Sequence, residues 1–281
     1  DVAFVTFTGS KAVGLQINVE AAVVRPGQRH VKRVVAEMGG KNAIIVDADA
    51  DLDQAVPAIV ASAFGYSGQK CSACSRLIAL DAVHDAVVER VLGAARVLRM
   101  GHPRGMGVQV GPLIDADAHV RVRHYVELAH EEGRVVLARD DVPREGWFVG
   151  PTVVTDLAPR CRVATEEIFG PVLAVLRSAD FDEALAIAND CEYALTGGLF
   201  SRSPGHIRRV AEELRAGNVY INRAITGAVV GRQPFGGYGM SGVGSKAGGP
   251  DYLLQFVDPR TITENTMRQG FAPVGSEPAG G

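Results

Sequence analysis

The sequence predicts an α/β protein whose strands form a largely parallel sheet. Short apolar segments alternate with amphipathic helical segments along most of the chain, which is the pattern of parallel-sheet proteins. The composition agrees, because 47% of the residues are hydrophobic and 22% are charged, which is enough apolar material for a sizeable core. With 281 residues, the chain has room for one large domain or two ordinary ones.

The individual elements follow from local pattern and from residues that start or end helices. Apolar or alternating segments predict strands at residues 2–8, 31–37, 42–46, 77–80, 198–200, 219–221 and 252–264. Helical spacing predicts helices at residues 11–24, 51–64, 82–99, 116–132, 180–190 and 204–215. The glycine-rich stretch 227–249 is predicted to be an ordered loop, because aromatic and apolar residues interrupt it.

Charge and cysteine content argue against several classes of function. The net charge is −3 with the two signs interspersed, so nothing favours nucleic acid or a membrane surface as a partner. No apolar run reaches the ~18 residues of a membrane span, and the first residues lack a signal-peptide pattern. Four cysteines do not suggest a disulfide framework, so we expect free thiols and a cytoplasmic protein. Because the chain starts on a predicted strand without an initiator Met, we expect it to be part of a longer protein.

The densest group of chemically capable residues is the segment Gly68-Gln-Lys-Cys71-Ser-Ala-Cys74-Ser-Arg76. A nucleophilic cysteine reacts as the thiolate, which nearby cations and helix amino-termini stabilise. Lys70 and Arg76 flank Cys71, which we expect on a turn between a helix and a strand. Judged alone, a buried packing cysteine is an equally good interpretation. A metal or redox pair with Cys74 is weaker, and we expect no metal site, since the other two cysteines lie far off without paired histidines.

Two further segments have both a functional and an ordinary interpretation. Glu37 ends an apolar strand, where burial tends to raise a carboxyl pKa and so to suit a general base. A solvated strand-end charge is about as good an interpretation. Gly9 and Ser10 stand between a strand and a helix start, where backbone N–H groups can bind a pyrophosphate. An ordinary serine N-cap is the simpler alternative there.

Eight motifs occur together in one order and spacing, from residue 4 to about residue 256. They are Phe7-Thr-Gly-Ser10, Glu37-Met-Gly-Gly-Lys-Asn42, Gly68-Gln-Lys-Cys71, Pro151-Thr-Val153, Glu166-Glu-Ile-Phe-Gly-Pro171, residues 189–201, Gly217-Asn-Val-Tyr-Ile-Asn222 and Pro234-Phe-Gly-Gly237. In this order the chain resembles the aldehyde dehydrogenase superfamily. The resemblance favours the functional interpretation of Cys71, Glu37 and Ser10 over a non-catalytic interaction module.

The resemblance implies a role for each matching residue. Cys71 would attack the aldehyde to give a thiohemiacetal, which loses a hydride to the nicotinamide of NAD and becomes a thioester. Glu37 would activate the water that hydrolyses this thioester, which argues against the branch of the family that acylates coenzyme A. The residues implied to bind NAD are Gly9, Ser10 by the pyrophosphate, Gly39, Glu167 on the nicotinamide-side ribose and Phe169 by the nicotinamide.

A finer resemblance favours the branch that oxidises L-glutamate γ-semialdehyde in proline catabolism. Its diagnostic pieces are Cys71-Ser72-Ala73, residues 222–237 and residues 241–250. In that branch a serine and a glycine-containing loop hold the substrate's α-carboxylate, and the matching residues are Ser72, Gly227 and Ala228. Phe64 and Phe235 would line the aldehyde tunnel. Another semialdehyde or an aliphatic aldehyde is the alternative substrate, and a proline dehydrogenase fused upstream is an alternative context.

The resemblance also implies domain boundaries along the chain. Residues 1–38 would end a Rossmann-like NAD-binding domain, 39–250 would form the catalytic domain, 251–266 an oligomerisation strand and 267–281 a disordered tail. About half of the family's usual chain would lie upstream, with the oxyanion-hole asparagine and the residues that hold adenosine and select NAD or NADP. Without these upstream residues we expect no activity from the 281 residues alone. The resemblance also implies a homo-oligomer, because members of the family pair through a late strand, here predicted at residues 252–264.

Overall fold

The computed structural model describes residues 2–265 and 267, so the tail predicted at 267–281 lies outside the described residues except for its first residue. The strands are β1 (Phe4–Thr8), β2 (Arg33–Glu37), β3 (Asn42–Val46), β4 (Cys74–Leu80), β5 (Arg134–Ala138), β6 (Thr152–Thr155), β7 (Val172–Ser178), β8 (Tyr193–Ala194), β9 (Thr196–Phe200), β10 (Asn218–Ile221), β11 (Tyr238–Gly239) and β12 (Gly242–Val243). The α-helices are α1 (Lys11–Ala22), α2 (Leu52–Phe64), α3 (Asp81–Arg96), α4 (Ala116–Glu132), α5 (Arg162–Thr165), α6 (Phe181–Asn189) and α7 (Pro204–Glu213).

The main sheet has seven strands in the order β10-β9-β3-β4-β7-β6-β5. All neighbouring strands are parallel except β5 and β6, which confirms the predicted α/β class. Side chains that alternate along a strand enter two separate cores. In β3, Ile44 packs with α2 and α3 on one face, and Ile45 packs with α4 and α6 on the other. Helices therefore cover both faces, as a mostly parallel sheet requires.

A second, three-stranded sheet joins β1, β2 and β12 and positions Glu37. Strands β1 and β2 are parallel and place Thr8 opposite Glu37. Strand β12 is antiparallel to β2 and places Gly242 opposite Glu37 from the other side. The last residue of β2 is therefore held between two strands, one from each end of the chain.

Strands β5, β6 and β7, the two-residue strands β8, β11 and β12, and the short helix α5 were not predicted from the sequence, and one predicted strand is wrong. Tyr252–Phe256 forms a 3-10 helix, and the residues from 257 to 265 form no strand in the described chain. The apolar pattern at Tyr252 and Phe256 has period four, so the two rings meet at 5.3 Å and Phe256 packs on Phe4 at 4.8 Å. The described residues also contain no helix long and apolar enough to cross a membrane.

Candidate active site

The turn that carries Cys71 is built from left-handed backbone. After α2 ends, Tyr66, Ser67 and Gly68 all have positive φ, at 59°, 57° and 67°. A Cβ at Gly68 would lie 2.2 Å from the carbonyl oxygen of Gly170, so only glycine allows this close approach. The chain then turns at Cys71 and enters β4, which confirms the predicted turn between a helix and a strand.

Asn42 fastens this turn to the central strand β3. Its buried Nδ2 donates to the carbonyl oxygens of Cys71 and Ala73, both at 2.8 Å, and its Oδ1 accepts from the N–H of Thr196 at 2.9 Å. One amide thus satisfies three backbone groups from two segments, the Cys71 turn and β9. Asn42 stands in one of the sequence motifs, but no role was predicted for it. The available signal was an amide side chain starting an otherwise apolar strand.

The electrostatics of Cys71 differ from the prediction. Burial raises the pKa of its thiol, and the carboxylates of Glu37 and Glu167 raise it further, against backbone N–H groups that lower it. Arg76 is fully buried and donates elsewhere, to the carbonyl oxygens of Lys41, Ile187 and Ala188. The expectation that this arginine stabilises the thiolate was therefore wrong. Cys71 rests as a thiol close to carboxylates.

Cys74 is unsuited to the metal or redox role considered for it. It is buried, and its Sγ donates to the carbonyl oxygen of Arg76 at 3.3 Å. Burial raises the pKa of this thiol to about 12, so the reactive thiolate is scarce at neutral pH. Within the described part of the chain, no three His, Cys, Asp or Glu side chains cluster in a way that could hold a metal ion.

Glu37 has the environment expected of a general base. Burial raises the pKa of its carboxyl to about 7, while the N–H of Gly237 and the charge of Lys246 act in the opposite direction. Its Oε2 is buried and has no hydrogen-bond partner among the described residues. The predicted raised pKa is confirmed, and the free oxygen can accept a proton from a small molecule beside it.

The residues predicted to bind a pyrophosphate lie at the start of α1. Ser10 is the N-cap, and its Oγ accepts from the N–H of Val13 at 3.4 Å. Gly9 donates its N–H to the carbonyl oxygen of Glu37 at 3.0 Å, which ties the helix start to the end of β2. The ordinary serine cap is thus present, and both residues are exposed at a helix terminus that favours anions.

Glu167 lies against the glycine pair that follows Glu37. The N–H of Gly40 donates to its Oε1 at 2.9 Å. A Cβ at Gly39 would lie 2.2 Å from its Oε2, so a larger residue there would displace the Glu167 carboxylate. Phe169 has a positive φ of 56° and lines a cleft of about 590 Å³ together with Tyr66. A Cβ at Gly40 would lie 2.5 Å from the carbonyl oxygen of Cys71, so the residues after β2, the Cys71 turn and Glu167 lie against one another. None of Cys71, Glu37 and Glu167 lines that cleft.

The residues predicted to hold the substrate are only partly brought together. Ser72 follows Cys71 directly, and its carbonyl oxygen accepts from the Thr196 hydroxyl at 3.4 Å. Gly227 has φ +80° and is exposed, and no hydrogen bond joins it to the Cys71 turn within residues 2–265. Phe235 is half-buried and pairs with Ala247.

The structure contradicts the prediction for Phe64. This side chain is 1% exposed and belongs to the core between the main sheet and helices α2 and α3. As the last residue of α2 it points to the sheet, because the apolar face of that helix is the one that packs there. Phe64 therefore supports the scaffold beneath the turn and does not line a passage to Cys71.

The aldehyde dehydrogenase family model matches residues 1–262, and the chain belongs to the aldehyde dehydrogenase family. Its similarity to particular members is high. The 1-pyrroline-5-carboxylate dehydrogenase of Anoxybacillus flavithermus is 49% identical over 93% of this chain and 51% of its own length. The protein of the same name from Bacillus cytotoxicus is 50% identical over the same shares. The chain thus spans about half the length of these curated relatives.

Solved structures of related proteins are also similar to this chain. Proline utilization A from Bdellovibrio bacteriovorus, in a form inactivated by N-propargylglycine, has a TM-score of 0.92 and 53% identity, over 96% of this chain and 28% of its own. A 1-pyrroline-5-carboxylate dehydrogenase from Thermus with bound NAD has a TM-score of 0.88 and 48% identity, over 91% of this chain and 49% of its own.

Proposed function

We propose that the whole protein is an NAD-dependent dehydrogenase that oxidises L-glutamate γ-semialdehyde, the open form of Δ1-pyrroline-5-carboxylate, to L-glutamate. The observation that carries the proposal is the meeting of Cys71 and Glu37. A thiol on a rigid turn lies within the electrostatic reach of a buried carboxyl whose pKa is about 7 and whose Oε2 is free. This pair suits formation of a thioester and its hydrolysis by water.

The chemistry assigned to these residues proceeds in two stages. The Cys71 thiol gives up its proton, for which Glu37 is a suitable acceptor, and its sulfur bonds to the aldehyde carbon. The tetrahedral carbon loses a hydride, and the resulting thioester stays bonded to Cys71. Glu37 then passes this first proton to solvent and takes a proton from water, the hydroxide adds to the thioester carbon, and the sulfur leaves with the proton that Glu37 returns.

The residues present fit NAD as the hydride acceptor. Ser10 and the first N–H groups of α1 would face the pyrophosphate, and Glu167 would accept hydrogen bonds from the nicotinamide-side ribose. The glycine pair Gly39-Gly40 lets the backbone pack directly against Glu167 and the Cys71 turn, since a Cβ at either position would clash with them. Phe169 would lie beside the nicotinamide. When bound, NAD supplies the site that receives the hydride.

The substrate assignment rests on the groups that would bind an α-carboxylate. The Ser72 hydroxyl and the backbone N–H groups of Gly227 and Ala228 are donors of the kind that bind carboxylates. Phe235 offers an apolar wall for the methylene chain. The names of the curated relatives support the same substrate, since several are 1-pyrroline-5-carboxylate dehydrogenases.

A panel of aldehydes tests the proposal on the whole protein. We expect NADH formation from pyrroline-5-carboxylate, with kcat/KM at least ~10-fold above that for an aliphatic aldehyde of equal length, because two or three carboxylate hydrogen bonds would be lost. A preference for an aldehyde without the α-amino-acid group would overturn the substrate assignment and leave the class intact.

A bifunctional context is a second candidate, and one observation favours it. A solved proline utilization A is 53% identical to this chain, which covers 28% of it, and another relative of that name is described as bifunctional. A proline dehydrogenase assay on the whole protein decides the question. Proline-dependent dye reduction supports the fusion, and its absence with intact aldehyde oxidation excludes it.

We also propose that the protein works as a homo-oligomer in the cytoplasm. Several large apolar side chains near the end of the described chain are exposed, among them Leu253 at 72% and Ile262 at 80%. Such a patch commonly marks a protein interface. Light scattering on the whole protein should give at least twice the mass of one chain, and Leu253→Asp should lower it.

A further inference from the structure

Lys246 lies beside the carboxylate of Glu37, in a position that none of the roles above uses. A Cβ at Gly236 would lie 2.6 Å from Oε1 of Glu37 and 3.4 Å from Cα of Lys246. Both residues therefore border the same glycine. The backbone N–H and carbonyl of Ala247 pair with those of Phe235 at 2.7 and 2.9 Å, which fixes the lysine against this turn.

The ammonium of Lys246 is anchored on the backbone that supports Glu37. Its Nζ donates to the carbonyl oxygen of Gly217. Gly217 is packed so tightly on the turn that a Cβ there would lie 1.9 Å from the carbonyl oxygen of Gly236. The next residue, Gly237, supplies the N–H that bonds to the Glu37 carboxylate. One lysine thus braces the turn that also holds the carboxylate.

The charges around Glu37 are few. Its strand neighbours Thr8 and Gly242 carry no charge, and neither does the turn formed by Gly236 and Gly237. Among the described residues, the ionisable groups found to interact with Glu37 are Cys71 and Lys246. Of Glu37, Cys71 and Lys246, it is Lys246 that can carry a positive charge. Its own pKa is lowered by burial and raised by Glu37, so the interaction is mutual.

We propose that Lys246 is a positioning residue for Glu37. Its ammonium favours the ionised carboxylate, and its bond to Gly217 keeps the glycine turn against Glu37. The proposal rests on the proposed function, because the use of Glu37 as a base belongs to that function. Lys246 exchanges no proton in this role. Each time Glu37 takes a proton from water, the nearby ammonium favours its return to the ionised form.

A substrate-free titration tests the proposal. Infrared difference spectra of the whole protein follow the Glu37 carboxyl with pH, and Glu37→Gln identifies its band. Lys246→Met should raise the pKa of Glu37 by about one unit, which is about tenfold less carboxylate at pH values below the titration. Lys246→Arg should leave the titration near that of the unaltered protein. An unchanged titration in Lys246→Met would overturn the proposal.

A third Lys246 variant separates the effect of the charge from that of the hydrogen bond to Gly217, and a variant of another lysine serves as a control. Lys246→Gln keeps a donor near Gly217 without the charge, so it should shift the Glu37 titration as Lys246→Met does. Lys32→Met is the matched control, since Lys32 donates to Gln28 at 2.7 Å and lies at the far end of β2. It should change nothing.

The pH profile of kcat gives the second readout. In Lys246→Met the acidic limb should move upward by the same amount as the titration, with KM for the aldehyde unchanged. If the unaltered protein oxidises no aldehyde, the proposed function fails, and the infrared titration still decides the role of Lys246. If the enzyme is active and neither readout moves, the role of Lys246 alone is refuted.

Discussion

At the scale of single residues, the site combines two acidic groups, and burial opposes the ionisation of both. Burial raises the pKa of the Cys71 thiol and that of the Glu37 carboxyl, so both favour the protonated form more than their free groups do. A base with a pKa near neutrality is half ionised at working pH and can both take and release a proton. Glu37 is suited to this role, and in the proposed mechanism Cys71 depends on Glu37 to lose its proton.

Glu37 should set the acidic limb of the activity. Because its pKa is raised to about 7, the carboxylate form grows as pH rises through that value, and kcat should rise with it. Glu37→Gln should lose this limb and about 10²–10⁴-fold in kcat, the range for removal of a general base. The measurement is kcat from pH 5.5 to 9, and a retained limb near pH 7 in the variant contradicts the assignment.

We expect the buried Lys41 to lower the free energy of unfolding. It is 1% exposed, its Nζ has no partner among the described residues, and burial lowers its pKa to about 7. Between that pKa and 10.5, the ordinary value, the Lys41 side chain binds more protons in the unfolded chain than in the folded one. The contribution of Lys41 to the free energy of unfolding therefore rises with pH across this range and is least favourable at pH 7 and below. Lys41→Met should stabilise the protein by about 1–4 kcal/mol.

Thermal unfolding of Lys41→Met checks this sign. The gain in melting temperature over the unaltered protein should be largest at pH 6 and should shrink as pH rises to 9. Lys32→Met serves again as the control, because its ammonium lies outside the core. A gain that grows with pH, or a loss at pH 6, would refute the account of Lys41.

At the scale of elements, the start of β3 determines where the Cys71 turn lies. Asn42→Ala removes hydrogen bonds to the carbonyl oxygens of Cys71 and Ala73 and to the N–H of Thr196. We expect about 1–3 kcal/mol lower stability, since buried backbone groups lose their partners. We also expect at least ~10-fold lower kcat with cofactor affinity unchanged. Chemical denaturation measures the stability, and steady-state kinetics measure kcat. An unaltered kcat would show that the Cys71 turn keeps its position without Asn42.

The elements that the sequence predicted well carry their own start and stop signals. Asp51, Asp115, Asp180 and Ser203 each cap a helix through a side-chain oxygen, and the predicted helices begin within one residue of those observed. Strands β5 to β7 were missed although Val172–Ser178 is almost entirely apolar. The 252–264 segment was misassigned because its aromatic residues pack on β1, which no local pattern reveals.

For the site, the family motifs located Cys71, Glu37 and Glu167, but the supporting contacts were not visible in the sequence. Asn42 reaches residues 29 and 154 positions away, and the Lys246 bond spans 29. Pairings of this kind depend on the folded topology. Phe64 was misplaced for the same reason, since the sequence does not say which face of α2 meets the sheet.

At the scale of the whole molecule, the chain leaves apolar surface uncovered. On α1, Val13 and Val19 are 44% and 66% exposed, and the relatives it matches are about twice as long. We predict that these 281 residues, expressed alone, form no NADH from pyrroline-5-carboxylate and aggregate more readily than the whole protein. NADH formation by the isolated chain would contradict this.

The central claim is that Cys71 is the nucleophile, and replacing it in the whole protein tests that claim most directly. Cys71→Ala should abolish NADH formation from pyrroline-5-carboxylate, because no thioester can form, while calorimetry still shows NAD binding with unchanged affinity. Cys74→Ala is the matched control, a buried thiol three residues away that should keep turnover within about threefold. Unchanged turnover in Cys71→Ala would contradict the account.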